Sequence, residues 1–135
     1  MTMDRSGVHT AHNFRARADS VGEARRAAVA FAREHDVPDE KLDLVALAVS
    51  EATTNVVVHA YRDRDEPGTF TLGLDIEGAS LMIDVCDDGL GPSPRTDSPG
   101  LGLGLPIIAE VTDAHSFLPT SGRGAWLSMR FDIQR

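Results

Sequence analysis

Two periodicities divide the chain. From residue 20 to residue 61 apolar positions recur every three or four residues, the spacing of a helix with one buried face. From 69 to 86, and again from 115 to 133, apolar and polar residues alternate, as on half-buried strands. Ala11 to Ala18 alternates in part and predicts a first strand. Ser20-Val21-Gly22-Glu23 fits a capping box, in which the Ser20 hydroxyl and the Glu23 side chain would satisfy free N–H groups at a helix start. The first helix then runs to about His35, with Val21, Ala24, Ala28 and Phe31 on one face and Arg25, Arg26 and Arg33 elsewhere. Asp36-Val37-Pro38-Asp39 is a break, because proline disfavours helix at the residue before it. A second helix is predicted from Asp39 to Tyr61, its core stripe supplied by Leu44, Leu47, Ala48 and Ala52.

Arg62 to Gly68 reads as a charged loop, followed by strands over Thr69–Glu77 and Ser80–Cys86 with a turn at Glu77-Gly78-Ala79. Pro92 to Pro99 holds three prolines and no apolar period, so it reads as a loop. A short helix over Gly102–Val111 and strands over His115–Leu118 and Ala125–Ile133 complete the pattern. The order β-α-α-β-β-α-β-β predicts a two-layer α/β sandwich, a mixed, mostly antiparallel sheet with helices on one face. Residues 1–9 are expected to form a loose tail, and 10–135 a single domain with no internal repeat and no appended one.

Composition narrows the chemistry. At 135 residues, 41% hydrophobic and 25% charged, the chain can bury a real core. A net charge of −8 argues against non-specific nucleic-acid binding, which needs a basic surface. Lys41 is the only lysine and Cys86 the only cysteine, so a second catalytic lysine, an internal disulfide and a cysteine-rich zinc site are excluded. The five histidines show no metal-ligand spacing. With no signal-like N-terminus and no apolar run near the ~18 residues of a membrane span, the expected location is cytoplasmic.

Three polar features interrupt the apolar pattern. Glu51, Asn55 and His59 follow one another at steps of four, on one stripe of the second helix. Polar groups on such a stripe need partners. Asp87-Asp88-Gly89-Leu90-Gly91 ends a strand, and Gly100-Leu101-Gly102-Leu103-Gly104-Leu105 opens a helix. Taken singly, each has an ordinary explanation: an exposed helical Glu, an Asn bonded to backbone, an Asp-Gly turn, a glycine hinge. The glycine run is not a Rossmann fingerprint, since no parallel β-α-β unit begins the chain. It is not a P-loop, since no Gly-Lys-Ser/Thr follows.

Together, in this order and spacing, the three motifs resemble the ATP-binding domain shared by gyrase, the heat-shock chaperone, histidine kinases and mismatch-repair ATPases, the GHKL or Bergerat fold. The phrase Val49-Ser50-Glu51-Ala52-Thr53-Thr54-Asn55-Val56-Val57-Val58-His59-Ala60-Tyr61 and the short chain look most like bacterial anti-sigma-factor serine/threonine protein kinases. The resemblance spans residues 10 to 133. It implies that Glu51 is the general base, accepting the proton of a serine hydroxyl, and that Asn55 holds Mg²⁺ through its amide oxygen beside the phosphates of ATP. It implies that Asp87 accepts a hydrogen bond from the adenine amino group, with Gly89 and Gly91 letting the base approach the backbone, while Asp88 faces solvent. Gly100, Gly102, Leu103, Gly104 and Leu105, with the segment before them, would form the lid and phosphate loop at a helix start. Arg95, the one cation in that segment, could contact phosphate. His59 has two readings, at the phosphate end of the site or as a hydrogen-bonded, partly buried histidine.

One position departs from the family pattern. A Gly-Thr pair usually precedes the last strand, and its hydroxyl helps hold adenine; here Gly124 is followed by Ala125. The missing bond, about 0.5–1.5 kcal/mol net, weakens ATP binding without abolishing it. The resemblance implies a kinase that phosphorylates an anti-anti-sigma (STAS-domain) protein, sequesters a sigma factor and commonly dimerises. It implies no direct contact with nucleic acid or membrane. The alternative is a regulatory module that binds nucleotide to shape a partner surface, with little or no phosphotransfer. A third reading, a catalytic domain cut from a histidine kinase or larger ATPase, lacks a dimerisation helix with a phosphorylatable histidine.

Overall fold

Alternating burial builds the sheet. In the computed structural model, which describes residues 8–60, 68–87, 106–119 and 125–133, the strands are β1 (Val8–Arg15), β2 (Thr69–Glu77), β3 (Ser80–Asp87), β4 (Ala114–Pro119) and β5 (Ala125–Asp132). Leu72 and Leu74, Leu81 and Ile83, and Met129 and Phe131 turn inward from the central three strands. Thr71, Asp84 and Ser128, on the opposite parity, remain partly exposed. One face of the sheet is therefore apolar and needs a cover. Helices α1 (Ala18–Glu34) and α2 (Asp39–Asn55) provide it, placing Ala24, Ala28, Phe31, Val45, Ala48 and Val49 in the same core cluster. A short α3 spans 106–111 and adds Ile108 to that core. The strand order is β1-β2-β3-β5-β4, and every described pairing is antiparallel. This is the two-layer α/β sandwich expected, with its sheet at the antiparallel extreme.

Local signals set the element ends, in several places differently from the sequence reading. β1 spans Val8–Arg15 rather than Ala11–Ala18, because Ala18 already begins α1. The chain turns at Ala16, which is buried and whose N–H donates to the Gly68 carbonyl at 2.9 Å. With the helix starting three residues early, Ser20 is no longer at its N-cap, and the capping box does not form. Arg17 is the N-cap and gives no side-chain cap, while the Ser20 hydroxyl donates to the Arg15 carbonyl, tying helix to strand. At the other end of α1, the Val37 N–H reaches Ala32 O at 3.0 Å and the Asp36 N–H reaches Arg33 O at 3.3 Å. These are the two bonds of a Schellman motif, with Asp36 at φ 65° in the place glycine prefers. The β2–β3 hairpin turns through Gly78-Ala79, with Gly78 at φ 58°.

The core stripe of α2 also differs. Leu42, Val45, Ala48, Val49 and Ala52 are buried, whereas Leu44 and Leu47 are 36% and 40% exposed. The stripe is rotated because α2 must pack on α1 as well as on the sheet, so its apolar arc follows that shared groove. Finally, α2 stops at Asn55, and Val56–Ala60 is a π-helical turn; Tyr61, the expected end of the helix, lies outside the described residues.

Candidate functional site

The last two turns of α2 carry the first group of candidate residues. Ala48 and Ala52 face the core, and Glu51 and Asn55, one turn apart, are each half-buried. Thr53 between them is fully buried, and its hydroxyl bonds back to Val49 O at 2.7 Å. Such back-bonding satisfies a buried hydroxyl and favours helix distortion nearby. The π-helical turn begins three residues later, and π-turns interrupt helices most often at functional sites. Its hydrogen bonds span five residues instead of four. The backbone of His59 therefore lies in the π-helical turn and not in α2, and its side chain lies outside the described residues.

The second group lies at the end of β3. Asp87 shares the parity of Ile83 and Val85, so it stands on the helix-facing side, half-buried. Its register partners are Phe70 on β2 and Ala125 on β5. Phe70 and Ala125 are buried, Ala125 at 4% exposure. The row Phe70-Asp87-Ala125 thus sets one carboxylate between an aromatic ring and a methyl group on the helix-facing side of the sheet. A threonine at 125 would stand directly across from Asp87, and alanine places no hydroxyl there. Gly89, Gly91, Arg95, Gly100, Gly102, Leu103, Gly104, Leu105 and Gly124, and Asp88 with them, lie outside the described residues.

Next to Asp87, Cys86 points to the other face of the sheet, opposite Thr71 and Trp126. Burial pushes its thiol upward from the ordinary value, and the nearby charges of Asp84 and Asp87 add to the effect.

The donor set fits a magnesium nucleotide. Asn55, half-buried, offers one amide oxygen, a hard ligand of the kind magnesium takes. Asp87 offers an acceptor between flat and small neighbours, as an adenine edge requires. The α1–α2 layer also carries a cleft lined by Arg25, Arg26 and Arg33, which sequence reading left as scattered surface cations. The steps of seven and eight residues to Arg33 were the available signal, since both return to one helical face.

A five-stranded antiparallel sheet under two long helices defines a two-layer α/β sandwich. Residues 14–131 match the histidine kinase-like ATPase domain, and the chain belongs to that family. Among its relatives are the anti-sigma F factors of Clostridium acetobutylicum, 30% identical over 87% of this chain and 88% of that one, and of Clostridium novyi, 35% identical over 93% and 94%. Solved structures share the fold. The histidine kinase domain of the blue-light activated histidine kinase of Erythrobacter litoralis EL346 superposes with a TM-score of 0.59 at 22% identity, over 84% of this chain and 61% of that one. A chain of the SiaB–SiaC complex from Pseudomonas aeruginosa gives 0.64 at 16% identity, over 92% and 89%. Among the described residues no helix is long and apolar enough to cross a membrane.

Proposed function

We propose that this chain is a cytoplasmic ATP-dependent protein serine/threonine kinase that phosphorylates an anti-anti-sigma (STAS-domain) protein and sequesters a sigma factor, the two partners alternating in a switch. The observation that carries the reading is the half-buried pair Glu51 and Asn55, one turn apart on α2 in a chain of the histidine kinase-like ATPase family. Relatives called anti-sigma F factors, at 30 and 35% identity over most of both chains, support the choice of partners. In this reading Asn55 gives Mg²⁺ its protein ligand, Asp87 receives the adenine amino group with Gly89 and Gly91 admitting the base, and the glycine segment 100–105 serves the phosphates. Bound MgATP supplies the phosphoryl group and neutralises its charge. Glu51 takes up the proton that the acceptor serine hydroxyl loses.

The test is phosphate transfer from labelled ATP to a purified STAS-domain acceptor, with nucleotide binding measured separately. Glu51→Ala is expected to bind ATP within a few-fold of wild type and to lose about 10²–10⁴-fold in transfer, the range of a general base. Asn55→Ala is expected to lose Mg²⁺-dependent binding as well. Transfer by Glu51→Ala at near the wild-type rate would remove Glu51 from the chemistry.

One observation favours a second reading. Ala125 stands across from Asp87 without a hydroxyl, which suits a nucleotide-dependent binding module with little or no phosphotransfer. Wild-type protein that binds MgATP and its partner but transfers no phosphate would establish that module.

A further inference from the structure

The core stripe of α2 runs by steps of four through Val45 and Val49 to position 53, and all three side chains are 0% exposed. At 53 the residue is threonine, although valine has the same branched shape and no polar atom to satisfy. Among the described residues only Ser20 is likewise polar and buried. The Ser20 hydroxyl joins two elements, α1 and the Arg15 carbonyl of β1. The Thr53 hydroxyl stays within its own helix. It donates to Val49 O at 2.7 Å and, more weakly, to Ser50 O at 3.4 Å. Packing calls only for the branched shape, so the effect of the hydroxyl falls on the backbone of α2.

That effect is local, and its place matters. A carbonyl that accepts a side-chain hydroxyl besides its helical N–H tilts, and the helix bends there. Within the next turn the hydrogen-bond ladder changes. The Val56 N–H is shared between Ala52 O and Thr53 O, and Val56–Ala60 is the π-helical turn. Asn55 is the last residue of α2, two residues after Thr53 and one before that turn. We propose that the Thr53 hydroxyl is a positioning group: it sets the change from α- to π-helix after Asn55 and so fixes how Asn55 presents its amide oxygen to Mg²⁺. The part that concerns the metal rests on the function proposed above; the part that concerns the turn does not. Thr53 touches neither nucleotide nor acceptor in this scheme. It acts through the backbone that carries Asn55, much as groups behind a metal ligand orient it.

The experiment compares the full chain with Thr53→Val and Thr53→Ser. Valine keeps the shape and removes the hydroxyl, and Val49 O keeps its main-chain N–H partner, so no buried group is left unpaired. Serine keeps the hydroxyl and drops the methyl group. Stability and metal response are expected to move in opposite orders. Thr53→Val is expected to melt at or above the wild-type temperature, and Thr53→Ser about 2–6 °C below it. Calorimetry of ATP binding in EDTA and in Mg²⁺ gives the tightening that the metal supplies. In Thr53→Val that tightening is expected to fall about tenfold, the lower end of the cost of losing a group that orients a metal ligand, with affinity in EDTA nearly unchanged. In Thr53→Ser it is expected to be retained. In the nucleotide-free protein, Thr53→Val is expected to shift the amides of residues 55–60 more than those of 42–48, and Thr53→Ser to leave them near their wild-type positions. A merely structural role would give the reverse order, with the less stable serine variant impaired most. Amides of 55–60 that stay in place in Thr53→Val overturn the inference. So does a serine variant that loses the Mg²⁺ response as fully as the valine variant. Asn55→Ala with an undiminished Mg²⁺ response would count against the proposed function instead, and the nucleotide-free amide shifts would then decide by themselves whether Thr53 sets the turn.

Discussion

Ala125 is the residue at which the proposed nucleotide site departs most directly from the family pattern. It is buried, in register with Asp87, and lacks the hydroxyl that the family pattern supplies. Ala125→Thr is expected to raise ATP affinity by about 2- to 12-fold, since one neutral hydrogen bond contributes about 0.5–1.5 kcal/mol. The extra volume at a packed position is expected to lower the melting temperature of the apo-protein, because overpacking costs about 1–3 kcal/mol. Calorimetry and a thermal melt read the two effects separately, and unchanged affinity in a folded variant would detach position 125 from the nucleotide. Cys86, on the opposite face, reports on Asp87 independently. Burial and the charges of Asp84 and Asp87 hold its thiol protonated, so alkylation at neutral pH is expected to be slower than for a free cysteine peptide. Asp87→Asn removes one of those charges and is expected to speed alkylation. An unchanged rate would show that the Asp87 charge has no part in holding the thiol protonated.

At the scale of elements, the C-terminus of α1 carries an identifiable cost. Asp36 occupies the left-handed position of a Schellman motif at φ 65°. A non-glycine residue there costs about 1–2 kcal/mol, less for Asp than for most, while glycine loses about 0.5–1 kcal/mol through the entropy of the unfolded chain. Asp36→Gly is therefore expected to stabilise the fold by about 0.5 kcal/mol, or roughly 2 °C in melting temperature. A melt at or below the wild-type value would mean that Asp36 earns its place through another contact. The same elements show what the sequence could tell. Period-two alternation located β2 to the residue, and β3 and β5 within a residue, because burial on one sheet face leaves a local signature. The stripe of α2 was misplaced onto Leu44 and Leu47, because a helix packing on both a sheet and a second helix rotates its apolar arc, and that rotation has no local signal. The capping box failed for a similar reason: the bond from Ala16 to Gly68 starts the helix early, and it joins residues 52 apart. At the candidate site, Glu51, Asn55 and Asp87 were legible because polar residues intrude on apolar patterns. The π-turn after Asn55 was not, since an i→i+5 turn of valines has the composition of an ordinary helix or strand.

Across the whole molecule, one polar cluster ties the start of α2 to the far side of the sheet. The Lys41 ammonium donates to the Asp132 carbonyl and lies 3.5 Å from Asp113. The Asp132 N–H donates to Asp113 Oδ2 at 2.8 Å, and the Asp113 N–H returns to the Arg130 carbonyl at 2.9 Å. Helix α2, which presents Glu51 and Asn55, is thus anchored to β5 and to the turn that follows α3. The backbone N–H of Asp132 holds the Asp113 carboxyl below its ordinary value. Burial opposes it as the next largest effect, and the charges of Lys41 and Arg130 add to the lowering. A carboxyl depressed in the folded state favours folding at pH above its unfolded value, near 4, and that contribution is lost as pH falls through the lower native value. The melting temperature of wild type is therefore expected to exceed that of Asp113→Asn at neutral pH, with the gap closing progressively below about pH 4. The Asp113 side chain is 41% exposed, so solvent and salt screen the gap and keep it small. Lys41→Met separates the two contributions. It removes the ion pair but not the bond from Asp132, so it is expected to keep part of the pH dependence while losing most of the salt dependence. A gap between wild type and Asp113→Asn that stays constant from neutral pH to well below 4 would show that the Asp113 carboxylate has no part in holding α2 to the sheet.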